Sequence, residues 1–573
     1  MDLLVFAVLA VLVIVAVTSF APRVGVAAPL LLVLIGVGVS VLPFVPAIEI
    51  EPEWILGVVL PPLLYSSATN MPTMDFRRDF RTISAFSVVL VVLSAVVVGF
   101  VLDALVPGIG LATGIALGAV VSPTDAVATS IVRKAGVSPR IVTVLEGESM
   151  LNDASALVLL RSAIVATAGT VSLWGVAGDF VFAVVVAVVV GYVVGRLHVW
   201  ARGHLTQTTS NVALSFVVPF VAFLPAEHLG ASGLVAAVTA GLVTGHAAPR
   251  ALRARDRVTE HAVWRTIELL LEGAVFLIMG LEVFALVEDV HEAHGSLWVA
   301  VGLGALTAAL VVALRSVFVT WSVWELARRA DRNPQVRDWL THAQARLDAG
   351  DLVPPPRGRL RGRTAAEGAA AVGRRVRRRI ADIDYLTAEK FGPREGVVLV
   401  WAGMRGVVTL AAAQSLPSDT PQRSLLVLVA FVVAAGTLLV QGATLPWVTR
   451  RLGLTGRDVD DVEALAALHA DLHRAAIDRL DDPDLRQPDG TTYPPAAIEQ
   501  ARERMTALDE SAEQDAEMHA RDRAADLRLR VLVLQAQREE LLHLRELGTY
   551  PSSTLRQALA ELDAVQIGIE LKS

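Results

Sequence analysis

Glu146-Gly-Glu-Ser-Met-Leu-Asn-Asp-Ala-Ser155 runs without a break into Ala156-Leu-Val-Leu-Leu160, inside an apolar segment of membrane-spanning length at 142–168. Three carboxylates, Glu146, Glu148 and Asp153, fall within eight residues there. A charged side chain at the bilayer centre costs about 2.5–3.5 kcal/mol even on the mildest insertion scale, so such residues persist where they have a cavity, a partner or a function. The segment enters near Val142, which at about 1.5 Å per residue puts Glu148 about 9 Å deep and Asp153 about 16 Å deep, close to the midplane. Ser149 lies four residues before Asp153 on the same helix face, and Asn152 stands one turn above Glu148. Oxygen ligands therefore converge at mid-depth, with Glu146 at the rim.

Outward from this stretch, the chain of 573 residues is 54% hydrophobic, and apolar runs of spanning length recur. It reads as an all-α polytopic membrane protein. The absence of cysteine excludes disulfides, thiolate metal sites and thiol catalysis, and the net charge of -7 is uninformative. Lysine occurs only at Lys134, Lys390 and Lys572, so no lysine lies within a span. Met1-Asp2 lacks the positive n-region of a signal peptide, so residues 3–20 are expected to stay as a first helix.

Thirteen spans are expected, at 3–20, 27–45, 54–70, 83–105, 109–132, 142–168, 173–198, 210–225, 230–247, 264–286, 297–324, 395–416 and 424–448. Arg23; Arg77, Arg78 and Arg81; Arg133, Lys134 and Arg140; and Arg250, Arg253, Arg255 and Arg257 fall in alternate connections, while the others carry Glu49, Glu51, Glu53, Glu227, Glu288, Asp289 and Glu292. By the positive-inside rule the N-terminus is outside and the C-terminus cytoplasmic. The expected organisation is spans 1–11 within 1–324, an Arg-rich cytoplasmic linker at 325–394, spans 12 and 13 within 395–450, and a helical cytoplasmic domain at 451–573.

The linker contains Pro354-Pro-Pro356 and two basic runs, Arg357 to Arg363 and Arg374 to Arg379. It reads as solvated flexible chain; attraction to anionic lipid, worth about 1 kcal/mol per basic residue, is the alternative. No aromatic residues interleave with the arginines, so nucleic acid is not an expected partner. In the tail, Gly548 to Ser553 reads as a turn between helices with Ser552 or Ser553 as N-cap. No catalytic constellation is visible, and an enzyme is not expected.

The fifth span carries Ser122-Pro-Thr-Asp-Ala-Val-Ala128. Proline removes a backbone donor and disfavours helix before it, so a break near Ser122 would free carbonyls and set Asp125 beside unwound chain. Carbonyls, hydroxyls and carboxylates suit small hard cations such as sodium. A plain kink, with Asp125 paired to an arginine, is the alternative. The twelfth span carries Trp401-Ala-Gly-Met-Arg-Gly406, with Arg405 near the midplane between glycines. The two interrupted spans are seven apart, as six spans repeated in inverted topology around a linking seventh would place them. Arg315 in the eleventh span is a further buried cation. Glu268, Glu272 and Glu282 in the tenth fit snorkelling or an ion funnel equally. Arg161 reads as an interfacial or structural pair, and His246 as a lone histidine that more often has no pH-sensing role.

Ser-Pro-Thr-Asp at 122–125, Glu-Gly-Glu-Ser-Met-Leu-Asn-Asp-Ala at 146–154, Phe-Leu-Ile-Met-Gly-Leu-Glu at 276–282 and Gly-Met-Arg-Gly at 403–406 together resemble the sodium/proton antiporters of the monovalent cation:proton antiporter superfamily. The adjacent Asn152-Asp153, in place of two aspartates, is similar to the electroneutral branch. The resemblance implies inverted six-helix repeats with two crossed discontinuous helices, a homodimer, and a core that moves against the dimerisation domain. It assigns cation or proton binding to Asp153 and Asp125, with oxygens from Thr124 and Ser149. It pairs Glu148 with Arg405 and makes Asn152 a site organiser, with Arg315 a less distinctive member. It also implies a bacterial cell membrane, transported Na+ and H+ without a cofactor, and no ATP site. Potassium or lithium could replace sodium, since cavity size decides among them. A cation channel is a rival reading, although no carbonyl-filter repeat is visible.

Overall fold

The computed structural model describes residues 2–42, 51–167, 173–293, 296–330, 333–348, 365–389, 391–454, 458–487, 490–506 and 520–570. Among them nine helices are long and apolar enough to cross a membrane: Leu4–Val24, Thr73–Leu105, Leu111–Lys134, Pro139–Thr167, Gly178–His204, Thr208–His228, Ala254–Glu292, Leu297–Arg328 and Arg423–Arg451. The other four expected spans fall on shorter, more polar or interrupted helices. These are Ala28–Ser40; Pro52–Trp54 with Ile55–Val59 and Leu60–Asn70; Gly233–Ala251; and Pro393–Trp401 with Val407–Gln414. Ile55–Val59 is a π-helical turn, and Pro61 and Pro62 just after it supply no N–H to close an ordinary one.

The chain divides into two compact units, Met1–Ala327 with Phe391–Gly456, and Arg328–Lys390 with Arg457–Ser573. In the first, helices approach to backbone contact through small residues. A Cβ on Gly114 would fall 2.6 Å from the Gly99 carbonyl oxygen, so Leu111–Val121 lies directly against Val91–Leu105. Several ion pairs are sealed into this unit, among them two forked ones. Arg140 forks onto Asp79, Nε to Oδ2 at 2.9 Å and a terminal nitrogen to Oδ1 at 2.7 Å. Arg202 likewise meets both oxygens of Glu260 at 2.9 and 2.8 Å. Arg140, expected in a basic loop, is thus buried at the start of Pro139–Thr167, with its guanidinium 4.3 Å from the Phe391 ring centroid.

In the second unit, helix Asn333–Asp348 packs on Ala365–Ala388; Asp458–Leu480, Pro495–Thr506 and Ala520–Leu547 contribute to a small core of Ala476, Leu480, Leu485, Tyr493, Ala501, Leu529 and Val533, and Ser552–Glu570 packs on Asp458–Leu480 and Ala520–Leu547. The second basic run, Arg374 to Arg379, therefore belongs to a packed helix; the first, Arg357 to Arg363, lies outside the described residues. The expected serine cap is displaced by one residue. Ser552 is already helical, and Pro551 sits at the cap, its carbonyl accepting from Leu555 N–H at 3.1 Å. Gly548, at φ +72°, ends the preceding helix. Tyr550 in the turn donates to Asp471, and burial and that bond push its phenol up to about 12.

Candidate functional site

Both interrupted helices break where the sequence places its proline and glycines. Leu111–Val121 stops, Ser122 to Thr124 are unwound, and Ala126–Lys134 begins with Asp125 as its N-cap. Asp125 Oδ1 accepts from Val127 N–H at 2.9 Å and meets no arginine among the described residues, where the plain-kink alternative would need one. Pro393–Trp401 ends before Ala402 to Gly406, and Val407–Gln414 follows.

The two breaks meet face to face. The Asp125 N–H donates to the Met404 carbonyl at 2.8 Å, a bond between chain segments almost three hundred residues apart. A Cβ on Gly406 would collide with the Asp125 carboxylate, so glycine is required for this approach. The Arg405 N–H donates to Thr437 Oγ1 at 3.0 Å, and its side chain donates to the carbonyls of Val121 at 2.8 Å, of Ser122 at 3.2 Å and of Gly403. Carbonyls at a helix C-terminus lack partners and carry partial negative charge, and the buried guanidinium meets both needs.

Arg405 is accordingly not the partner of Glu148, correcting the expected pair. Glu148, 1% exposed, is forked by Arg315, 1% exposed, with one nitrogen to Oε2 at 2.9 Å and the other to Oε1. Arg405 lies within the break itself, so its reach is spent on the freed carbonyls of the opposite break. Arg315 comes from the intact Leu297–Ala330 helix, and its Nε also donates to the Leu399 carbonyl at 2.8 Å. Gly403 makes room for it: a Cβ there would lie 2.5 Å from Arg315 Cδ.

A polar relay joins the helices. Asn152 Nδ2 donates to Thr124 Oγ1 at 2.9 Å, and Thr124 Oγ1 donates to Glu148 Oε1 at 3.2 Å. The Ser87 hydroxyl donates to the Glu148 backbone carbonyl at 3.2 Å. Thr124 is thus occupied within the relay. Ser149 donates to the Glu146 carbonyl of its own helix at 3.2 Å, although it shares a face with Asp153 as its spacing requires.

Asp153 is different. It is 9% exposed, makes no hydrogen bond among the described residues, and lines a cavity otherwise walled by apolar side chains, including Val120, Pro123, Leu157, Val408 and Ala412. That wall draws on both interrupted helices and on the unbroken Pro139–Thr167. An unpaired carboxylate in such surroundings favours a proton or a cation over standing bare. Among the described residues no group of three or more His, Asp and Glu forms a metal site.

Of the remaining sequence-flagged residues, Glu146 pairs with Arg133, and Arg161 with Glu227 at 2.7 Å. Glu282 is 1% exposed and accepts from Gln414 Nε2 at 3.2 Å, which excludes snorkelling for it. His246 lies 3.4 Å from Thr73 Oγ1. Sequence reasoning missed Thr437 and the Arg140 to Asp79 and Arg202 to Glu260 pairs. Thr437 is one of four hydroxyls in an apolar helix, and each ion pair joins residues about sixty positions apart, so no local pattern marks them.

A sequence profile of the sodium/hydrogen exchanger transmembrane family matches residues 8–451. Over 568 residues the chain is 29% identical to an uncharacterized Na(+)/H(+) exchanger of Mycobacterium tuberculosis (strain H37Rv), covering 96% of this chain and 93% of that protein. It is 26% identical over 440 residues to a sodium, potassium, lithium and rubidium/H(+) antiporter of Bacillus pumilus, covering 74% of this chain and 58% of that protein. The fold is similar to that of the sodium proton antiporter MjNhaP1 from Methanocaldococcus jannaschii, with a TM-score of 0.54 at 16% identity over 79% of this chain and 99% of the other. Matched along most of its length and carrying two interrupted helices around an unpaired buried carboxylate, the chain belongs to the sodium/hydrogen exchanger family, a family of transmembrane antiporters.

Proposed function

We propose that this chain exchanges one Na+ for one H+ across the bacterial cell membrane by alternating access, electroneutrally, with Asp153 as the exchanging carboxylate and Asp125 beside it. The observation that carries this reading is Asp153 without a protein partner in an apolar cavity between the interrupted helices. Glu148 and Arg315 cancel, and the single positive charge of Arg405 stands against the two carboxylates of Asp125 and Asp153. The sum is one negative charge, which must be neutralised before the site can cross. A proton and a sodium ion each supply one positive charge, so either occupant leaves the moving part with the same charge.

The reading includes thirteen spans in inverted repeats, a homodimer, an outside N-terminus and a cytoplasmic C-terminus. Thr124 acts through the relay and Ser149 as an oxygen ligand after rotation of its hydroxyl. Potassium is the second reading, favoured by the substrates in the name of the Bacillus pumilus relative. The test is fluorescence dequenching in proteoliposomes under Na+, K+ and Li+ pulses. Sodium-driven exchange present in the parent and lost in Asp153→Asn supports the assignment. Exchange retained by Asp153→Asn, or single-channel currents in the parent, overturns it; preference for K+ selects the second reading.

A further inference from the structure

We propose that the arginine face of helix Ala365–Ala388 is a docking surface for anionic phospholipid headgroups. Arg374, Arg375, Arg377, Arg378 and Arg379 are exposed on this helix. At 100° per residue, Arg374 and Arg378 share one line, as do Arg375 and Arg379, and with Arg377 they cover the outward half of the helix. The opposite half, with Val376 and Ile380 half-buried and Ile383 buried, is turned inward where the helix packs on Asn333–Asp348 and Ala520–Leu547. The packing therefore fixes which side is presented.

These arginines form no ion pair with an acidic side chain among the described residues, and the nearby Asp384 is taken by Arg337. Five like charges over about 7.5 Å of helix axis repel one another, a cost that an apposed anionic surface reverses. The chain itself selects that surface. Arg379 precedes the helix end at Ala388 by about 14 Å of helix. Ala388 is five residues from Pro393, which opens a half helix of the membrane-embedded unit, a further span of at most about 18 Å. Whatever the arrangement of the two units, covalent connection keeps the arginines within about 32 Å (Arg379) to about 39 Å (Arg374) of that membrane helix. Planar guanidinium forks match phosphate oxygens.

The 573-residue chain has no cysteine, so Gly373→Cys gives a single labelling site for a fluorophore. In nanodiscs containing spin-labelled headgroups, quenching is expected to be at least threefold stronger with phosphatidylglycerol than with phosphatidylcholine alone. It should fall to the phosphatidylcholine level in 0.5 M salt and when the five arginines are changed to glutamine (Arg374→Gln, Arg375→Gln, Arg377→Gln, Arg378→Gln and Arg379→Gln). Five lysines in the same places should restore more than half of it, which separates charge from misfolding. Equal quenching in the two lipids, or in the glutamine variant, overturns the proposal. So does co-purifying nucleic acid whose nuclease removal is required before any lipid effect is seen.

Discussion

Arg315 holds both carboxylate oxygens of Glu148, and each residue is 1% exposed, so neither has water to fall back on. Removing one member of a buried pair strands the other and costs about 3–5 kcal/mol, whereas removing both together can be nearly neutral. Glu148→Gln and Arg315→Met should each lower the detergent-solubilised unfolding temperature by several degrees. The double variant should unfold closer to the parent than the sum of the singles. Additive losses in a thermal-shift double-mutant cycle would show that the pair does not couple.

Gly406 is specified by the Asp125 carboxylate that occupies the space of its missing side chain. Gly406→Ala is expected to push Asp125 off its cap and separate the breaks, reducing exchange at least tenfold while the protein still inserts and purifies. Unchanged rates in proteoliposomes would mean that the contact between breaks is not required for turnover.

Thr124 both accepts from Asn152 and donates to Glu148. Valine keeps the shape and loses both bonds, leaving two buried polar groups short of a partner at about 1–3 kcal/mol each. Thr124→Val should therefore lose stability and exchange together, and Thr124→Ser should retain most of both. Equal stability of the two variants in a denaturation series would count against the relay.

The pH dependence follows from competition at Asp153. At low pH protons occupy the carboxylate, so the apparent KM for Na+ should rise by up to about tenfold per unit fall in pH, with the maximal rate little changed. A KM flat across two pH units, measured by 22Na+ uptake, would separate the proton and sodium sites.

Much of the site was legible in advance because its signals are local. Pro123 removes an N–H and must interrupt a helix, and Gly403 and Gly406 lack side chains at a second interruption. Asp153 is a carboxylate in the middle of an apolar span. Spacing also placed Ser149 and Asp153 on one face. Spacing could not say that Ser149 donates to its own helix, because hydroxyl orientation depends on what lies opposite.

From the sequence alone came the membrane class, the two broken helices and the buried carboxylates, since length, hydropathy and backbone chemistry act over a few residues. Pairing was decided only in three dimensions. Glu148 and Arg315 stand 167 positions apart, and Arg405 reaches carbonyls 283 and 284 positions away. Which buried cation meets which buried carboxylate is an outcome of helix packing, because every charge there must be compensated and only geometry assigns the partners. Asp153 stands out once those assignments are made, as a buried carboxylate with no hydrogen-bond partner among the described residues.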